Sequence, residues 1–327
     1  MPLYLICNQK VNKNIHRQTN IYNTFMKIIL HNPAHNGDVF FSSKIVEFII
    51  KNNPTYEFII APSCSSILFE HLVSEKVTIE TNPHQWNFDY DLYNGCSWKC
   101  ANNGTDHVNY LYTQHDILWS IHKDDLYINM WQLMIKSNNN CMDLSDKTEF
   151  IEKLFKEIHE KTGIMLNFTP NHYKELIPEI PQLDISFIRN DIMFPIYKTR
   201  IFFFNFMGKS SQETLAPSFN DEYINELINK NPDSIIIVPD TCSIKHARLI
   251  SLLDDYNIQK EISGRSLVIY ANICNICDEV HFKNNGGSLF TMNTTNINNK
   301  NVKYYYLNEK DFFYDTMKNC YGLNIVN

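Results

Sequence analysis

Residues 27–50 read KIILHNPAHNGDVFFSSKIVEFII, and this stretch decides the fold. Lys27–Leu30 is a short apolar run of the kind that forms a buried strand, and Val39, Val46 and Ile50 then recur at helical spacing. Between the two lies HNPAHNGD, a turn in which a proline, a glycine and an aspartate precede the helix. The stretch therefore predicts a strand, a polar turn and a helix, which is the repeating unit of an open α/β sheet.

The first half of the chain continues this alternation of strand and helix. The apolar runs predict strands at Lys27–Leu30, Tyr56–Ile60 and Lys76–Ile79, and helices at Asp38–Asn52 and Ser63–Val73. Such a βαβαβ rhythm predicts a parallel sheet with right-handed crossovers. Residues 82–110 then lack any period, and two longer helical patterns follow at 116–137 and 145–162.

The alternation restarts after a proline-bearing stretch at residues 168–199. The remaining apolar runs predict strands at Arg200–Phe206, Ser234–Val238, Ile258–Ile262, Glu279–Phe282 and Val302–Leu307, and helices at Asp221–Asn229, Ser243–Asp254, Ser266–Cys274, from Ser288 onward, and at Glu309–Asn319. We therefore expect an α/β protein with two Rossmann-like domains whose parallel sheets face a central cleft. We place the N-terminal domain at 1–175, the linker at 176–199 and the C-terminal domain at 200–327.

Composition and charge exclude several classes of function. A net charge of −7 without a basic stripe argues against nucleic-acid binding, which needs clustered Lys and Arg. No apolar run approaches the roughly 18 residues of a membrane span, and the start of the chain does not read as a secretory signal, so we expect a cytoplasmic protein with at most peripheral membrane contact.

Nine cysteines, an odd number spread over the chain, do not form a disulfide framework. Cys96 with Cys100 and Cys274 with Cys277 could supply four zinc thiolates if the halves met, but buried reduced thiols are the favoured interpretation and we expect no metal site. The pattern Asp-Tyr-Asp at Asp89–Asp91 matches the bare acidic motif that holds a divalent ion in some transferases. It lies in the irregular loop, however, where a metal site is not favoured.

The turn HNPAHNGD carries the first candidate site. Gly37 permits a close approach of backbone or ligand, and with His35 and Asn36 it forms the turn that could contact a ligand. Asp38 is either a helix-start acid that satisfies backbone amides or a carboxylate that faces the cleft and takes a proton from an attacking hydroxyl. The turn matches neither the dinucleotide fingerprint nor a P-loop.

Two further turns carry candidate anion sites. The run HFKNNGGSLFTM at 281–292 places Asn285, Gly286, Gly287 and Ser288 between a strand and a predicted helix, where backbone amides favour phosphate. The run FNFMGKSSQETLAPSF at 204–219 holds Gly208, Lys209 and Ser210 in one loop after a strand, and the lysine would suit a diphosphate. The alternatives are a plain turn and an ordinary exposed lysine.

The pattern N-x-x-H-N-G-D-V-x-x-S at Asn32–Ser42 resembles the N-terminal signature of the heptosyltransferase-like glycosyltransferases, family 9. The runs NFMGKSSQETLAP at 205–217 and ISGRSLVIYANICNICDEVHFKNNGGS at 262–288 resemble the donor-phosphate loop and the second-domain motif of that family. The resemblance implies a GT-B fold and an inverting transfer from a nucleoside diphosphate sugar that needs neither a metal nor another cofactor. It implies that Asp38 is the general base.

The resemblance also implies roles in the second domain. Gly286, Gly287 and Ser288 would hold the donor diphosphate, and Lys209 or Ser210 would assist the departing phosphate. The acceptor would be a glycan or a lipid-linked glycan bound at the first domain, where Trp86, Tyr90 and Trp98 could stack on sugars or simply pack.

This sequence departs from the family pattern in its second half. Where the family has an Asp, a Thr and a His, this chain has Asn284, Asn285 and Leu289, and the family lysine three residues before the proline is Thr214. Two alternatives therefore stay open beside the transferase. One is a catalytically silent protein that binds sugar nucleotides or glycans, and the other is a sugar-nucleotide epimerase of the same fold.

Overall fold

The computed structural model describes residues 26–32, 36–81, 119–122, 124–135, 144–204, 221–259, 261–283, 286–307 and 312–326, and every structural statement below refers to these residues. The strands are β1 Lys27–Asn32, β2 Glu57–Pro62, β3 Val77–Ile79, β4 Trp119–His122, β5 Asp125–Asn129, β6 Thr199–Phe204, β7 Ser234–Val238, β8 Leu249–Ser251, β9 Glu279–Phe282 and β10 Lys303–Tyr306. The α-helices are α1 Asn36–Asn52, α2 Met130–Ile135, α3 Leu144–Thr162, α4 Ser186–Ile192, α5 Asp221–Lys230, α6 Leu252–Tyr256, α7 Arg265–Cys274, α8 Thr294–Asn298 and α9 Phe312–Asp315. No helix in these ranges is both long enough and apolar enough to cross a membrane.

The strands form two separate five-stranded sheets. The first sheet has the order β3-β2-β1-β5-β4, in which only β4 runs antiparallel to its neighbour. The second sheet has the order β10-β9-β6-β7-β8 and is parallel throughout. The predicted α/β fold with two parallel-sheet regions is confirmed. In each sheet the strand order reverses once, between β1 and β5 in the first and between β6 and β9 in the second.

The second sheet is covered on opposite faces on either side of this reversal. After β6 the chain continues to α5, whose Ile224 and Leu227 pack against Ile236 of β7. After β9 it continues to a 3₁₀ helix at Ser288–Met292, whose Phe290 belongs to a different apolar cluster together with Val280 of β9. In open α/β sheets such a change of face forms a crevice at the carboxyl ends of the strands, where ligands bind.

The two halves share one apolar core. The largest cluster of buried side chains includes residues of both sheets, of α1 and of α7. The rings of Phe40 on α1 and Phe290 in the second half are stacked with centroids 4.6 Å apart, and Phe41 lies 5.9 Å from Tyr321 near the C-terminus. Helix α1 therefore packs on the first sheet and on the second half of the chain at once. The predicted domain boundaries at 175 and 199 remain predictions.

Several predicted elements differ from the observed ones. The helix predicted at 116–137 is wrong, because Trp119–His122 and Asp125–Asn129 form a β-hairpin whose turn holds Asp124 at φ 76°. Of the described residues in this range, only Met130–Ile135 are helical. The helix predicted at Ser243–Asp254 and the strand predicted at Ile258–Ile262 are also wrong. In their place the structure has β8 at Leu249–Ser251 followed by α6. Pairing with a neighbouring strand, which local periodicity does not report, decides both segments.

Other elements are confirmed in place but differ in form or length. The helices predicted at Ser63–Val73 and from Ser288 are 3₁₀ helices at Ser66–Leu72 and Ser288–Met292. The closing helix predicted at Glu309–Asn319 is α9 followed by a π-helical turn at Thr316–Cys320. The irregular stretch 82–110, with its three candidate stacking aromatics and the acidic pattern Asp89–Asp91, lies outside the described residues.

Candidate functional site

The polar turn at the start of α1 lies directly against the Gly-Gly turn of the second half. A methyl group added to Gly37 would lie 3.1 Å from Gly286 Cα, 3.2 Å from Gly286 O and 2.6 Å from Leu289 Cδ1. Such distances leave no room for a side chain, so the two backbones are in contact. The structure thus brings together the turns that follow β1 and β9, the strands at which the order of each sheet reverses. At this point the halves touch, where the sequence analysis expected an open cleft.

A second contact between the halves lies beside the first. The Ser65 amide donates to the Ile262 carbonyl at 2.7 Å, and the Ile67 amide donates to the Ser263 carbonyl at 3.1 Å. Gly264 permits this approach, since a methyl group there would lie 2.8 Å from Ser65 Cα. Ser65 adopts a left-handed conformation with φ 54°, and its hydroxyl donates to Asn36 Oδ1 at 2.6 Å. This hydrogen bond connects the second contact to the first residue of α1.

Asp38 lies in the first turn of α1 and is half-buried. Its carbonyl accepts a hydrogen bond of 3.2 Å from Asn32 Nδ2, which also donates to Ser42 Oγ at 3.0 Å. Asn32 is the last residue of β1, so these bonds hold the helix start over the end of the strand. Burial raises the pKa of the Cys64 thiol to about 12, and the charge of Asp38 acts in the same direction. The backbone of Asp38 is therefore held at the carboxyl end of β1.

A buried polar cluster at the carboxyl edge of the first sheet was missed by the sequence analysis. His31 Nδ1 and the Tyr127 hydroxyl are hydrogen-bonded at 2.8 Å, and both side chains are buried. His31 stands opposite Asn129 in the register of β1 and β5, at the reversal of strand order. Burial lowers the pKa of His31 to about 3, so the ring is neutral at physiological pH. The sequence feature that could have revealed this cluster is a histidine near the end of an otherwise apolar strand.

The carboxyl edge of the second sheet also holds buried polar groups. Lys283 follows β9 directly and is only 7% exposed, and Ser288 Oγ donates to its carbonyl at 2.5 Å. Gly286 and Gly287 are half-buried between these two residues. The helix that follows is a 3₁₀ helix of five residues, so its dipole is smaller than that of the longer helix expected from sequence. The proposed phosphate contacts at 286–288 remain predictions.

Several predicted site residues lie outside the described part of the chain, namely His35, Gly208, Lys209, Ser210 and Asn285, as do Cys96 and Cys100. Cys274 and Cys277 are buried and reduced, and burial raises the pKa of both thiols. Within the described part of the chain, no three His, Cys, Asp or Glu side chains converge in a way that could hold a metal ion.

Comparison by sequence identifies no relative, since no family model and no curated protein matches the chain. Comparison of structures finds a glycosyl transferase family 9 protein from Veillonella parvula DSM 2008 at a TM-score of 0.46 and 11% identity, covering 94% of this chain and 87% of that one. It also finds E. coli heptosyltransferase WaaC with ADP-2-deoxy-2-fluoro heptose at a TM-score of 0.41 and 10% identity, covering 88% of this chain and 90% of that one. The chain is similar to both over most of its length.

Proposed function

We propose that the protein is an inverting glycosyltransferase that moves a sugar from a nucleoside diphosphate sugar to a glycan or lipid-linked acceptor, with no metal and no other cofactor. One observation carries the proposal. The contact between Gly37 and Gly286 sets the acid at the start of α1 beside the turn at the carboxyl edge of the second sheet. An acid and a candidate diphosphate site on opposite sides of one junction are what a direct displacement requires.

In the proposed reaction Asp38 is the general base. Its carboxylate would take the proton from the acceptor hydroxyl as that oxygen attacks the anomeric carbon from the side opposite the diphosphate. The new glycosidic bond forms as the bond to the diphosphate breaks, so the configuration at the anomeric carbon inverts. The hydrogen bonds from Asn32 to the Asp38 carbonyl and to Ser42 would keep the helix start, and with it the carboxylate, in one position during transfer.

The donor would be held by the second half. Backbone amides of Gly287 and Ser288 would contact the diphosphate, and Gly286, Asn285, Gly208, Lys209 and Ser210 would line the same site. Charge grows on the leaving diphosphate as the sugar departs, so fixed donors and cations at this edge would lower the barrier. The acceptor would meet the turn His35–Gly37 and the buried polar edge of the first sheet, which includes His31 and Asn129.

The experiment is a substitution of Asp38 that keeps its shape. The protein is incubated with a panel of nucleoside diphosphate sugars and candidate acceptors, and release of nucleoside diphosphate is measured. Asp38→Asn is expected to lower the turnover rate by about a hundred- to ten-thousand-fold while donor affinity is kept, because only the proton transfer is removed. Glu222→Gln is a suitable control, since Glu222 is an exposed acid in the first turn of α5. Unimpaired turnover in Asp38→Asn would refute the assignment of the base.

A second candidate is a catalytically silent protein that binds sugar nucleotides or glycans. The changed residues of the second half favour it, namely Asn284, Asn285, Leu289 and Thr214. Binding of a sugar nucleotide without any release of diphosphate, equal in wild type and Asp38→Asn, would select this candidate. Conversion of the donor in the absence of any acceptor would instead select an epimerase.

A further inference from the structure

Four consecutive apolar residues between α4 and β6 are exposed to solvent. They are Met193, Phe194, Pro195 and Ile196, and we call them the apolar turn. Phe194 is 55% exposed and Ile196 is 68% exposed. The other exposed large apolar residues in the described part of the chain stand singly in the sequence, at Val73, Ile121, Met165, Phe187 and Ile262. Single exposed apolar residues are normal, whereas a run of four is unfavourable in water and indicates a surface that contacts something else.

The apolar turn is held in one conformation by the elements around it. Ile188 and Ile192 anchor the preceding helix α4, since both are fully buried. The Tyr197 amide donates to the Phe194 carbonyl at 3.1 Å, and the centroids of the two rings lie 6.4 Å apart. This bond closes a turn in which Pro195 has the position that proline favours. Because the turn is already ordered, little conformational entropy is lost when its side chains are buried against a partner.

The apolar turn lies at the amino edge of the second sheet. It directly precedes β6, which begins at Thr199, and the strands of this sheet are parallel. The candidate functional site lies at the opposite edge, where the strands end. The six residues of β6 separate the two edges by roughly 20 Å. A surface that covers the apolar turn therefore leaves the candidate site open.

The size and shape of the turn argue against a second copy of this chain as its partner. An aromatic side chain buries about 150–250 Å² in full, so four partly exposed residues offer only a few hundred Å². A stable dimer needs about 800 Å² from each partner. A projecting turn is instead suited to the interfacial layer of a lipid bilayer, which takes up apolar groups without a preformed groove.

The charges beside the turn are compatible with phospholipid headgroups. Residues 186–200 contain three basic residues and one acidic residue, although the whole chain has a net charge of −7. Lys198 and Arg200 form ion pairs with Asp233 and Asp278. These pairs weaken the attraction to anionic lipid but leave no local excess of negative charge that would repel it. Burial of the apolar side chains is therefore the main contribution to binding.

We propose that the apolar turn is a membrane-contact site, which inserts Phe194 and Ile196 into the interfacial layer of a phospholipid bilayer. The contact is peripheral, since no helix in the described residues is long and apolar enough to cross a membrane. The inference is independent of the proposed transfer reaction. It adds a partner, the lipid surface, and an orientation in which the amino edge of the second sheet faces the bilayer.

The test is co-sedimentation of the full chain with vesicles of phosphatidylcholine alone and of phosphatidylcholine mixed with phosphatidylglycerol. Each of Phe194→Ser and Ile196→Ser is expected to lower the partition onto both kinds of vesicle by about tenfold, and the double variant by about a hundredfold, because burial of a large apolar side chain is lost. The matched control is the double variant Val73→Ser and Met165→Ser, which removes two singly exposed apolar side chains and is expected to bind as wild type does. Binding of wild type is expected to persist at high salt.

Four results would overturn the inference. They are a wild type that sediments with neither kind of vesicle, equal binding by wild type and the Phe194→Ser, Ile196→Ser double variant, binding that is lost at high salt, and a wild type that dimerises while the double variant stays monomeric in sedimentation velocity. If circular dichroism shows that the double variant does not fold, Phe194→Trp replaces it. Brominated phosphatidylcholine is then expected to quench the fluorescence of this variant more strongly than that of wild type, and equal quenching would exclude insertion of the turn.

Discussion

The contact between Gly37 and Gly286 leads to an asymmetric prediction, in which alanine is costly at one glycine and tolerated at the other. In Gly37→Ala the new methyl group would lie 2.6 Å from Leu289 Cδ1 and 3.1 Å from Gly286 Cα. Leu289 is only 8% exposed, so its side chain has little room to move, and the contact with Gly286 is with backbone. In Gly286→Ala the nearest atom is the Gly37 nitrogen at 3.5 Å, an ordinary van der Waals contact.

The magnitudes follow from these distances. Overpacking of this kind costs about 1–3 kcal/mol, and the better helix propensity of alanine offsets up to about 1 kcal/mol of that. We therefore expect Gly37→Ala to lower the free energy of unfolding by about 1–2 kcal/mol. Gly286→Ala is expected to change it by less than about 0.5 kcal/mol or to raise it slightly, because alanine has fewer conformations to lose on folding.

The assay is urea denaturation of both variants and wild type, followed by tryptophan fluorescence and by circular dichroism. Coincident transitions in the two signals are needed before a free energy is extracted, because a chain with two sheets need not unfold in one step. If both alanine variants unfold at the same urea concentration as wild type, or if Gly286→Ala is the less stable one, the close approach of the two turns is refuted.

Two further predictions concern stability in acid. Burial lowers the pKa of His31 to about 3, against about 6.5 in the unfolded chain, so the unfolded chain takes up the proton first and stability falls as pH drops from about 6.5 toward 3. His31→Phe is expected to remove up to about 1.4 kcal/mol per pH unit from this dependence, and an unchanged slope in thermal melts would contradict the burial of a neutral ring. Burial alone raises the pKa of Glu47, but hydrogen bonds from His71, Lys51 and Lys44 outweigh it and hold the pKa well below its usual range. The stability that Glu47 contributes is present above its unfolded pKa of about 4.3 and is lost as pH falls below that value. Glu47→Gln is therefore expected to show a shallower loss there than wild type, with Glu152→Gln on the exposed face of α3 as control.

The two sheets could be predicted from sequence because buried parallel strands read as continuous apolar runs. β7, for example, is Ser234–Val238 with every residue buried, and its sequence SIIIV is recognisable without any partner. The hairpin at Trp119–Asn129 could not be predicted in this way. Its apolar residues also fit a helix, and only the pairing of Leu126 and Ile128 with β1 selects the strand.

The candidate site, like the fold, could be predicted from sequence only in part. A glycine and an acid at the start of α1 could be recognised locally, because the transition from strand to helix is itself a local pattern. The polar edge formed by His31, Tyr127 and Asn129 could not be, because His31 and Tyr127 are distant in sequence and adjacent only through strand pairing.

The sequence by itself therefore determined which segments are apolar strands and where polar turns interrupt them, since these properties depend on neighbours within a few positions. The tertiary structure alone decided that Gly37 contacts Gly286 and that the Ser65 amide is hydrogen-bonded to the Ile262 carbonyl. It also decided that Lys283, the residue after β9, is buried. These contacts join residues that are far apart along the chain. They depend on how two sheets pack through one shared core, and no local pattern of residue types encodes that arrangement.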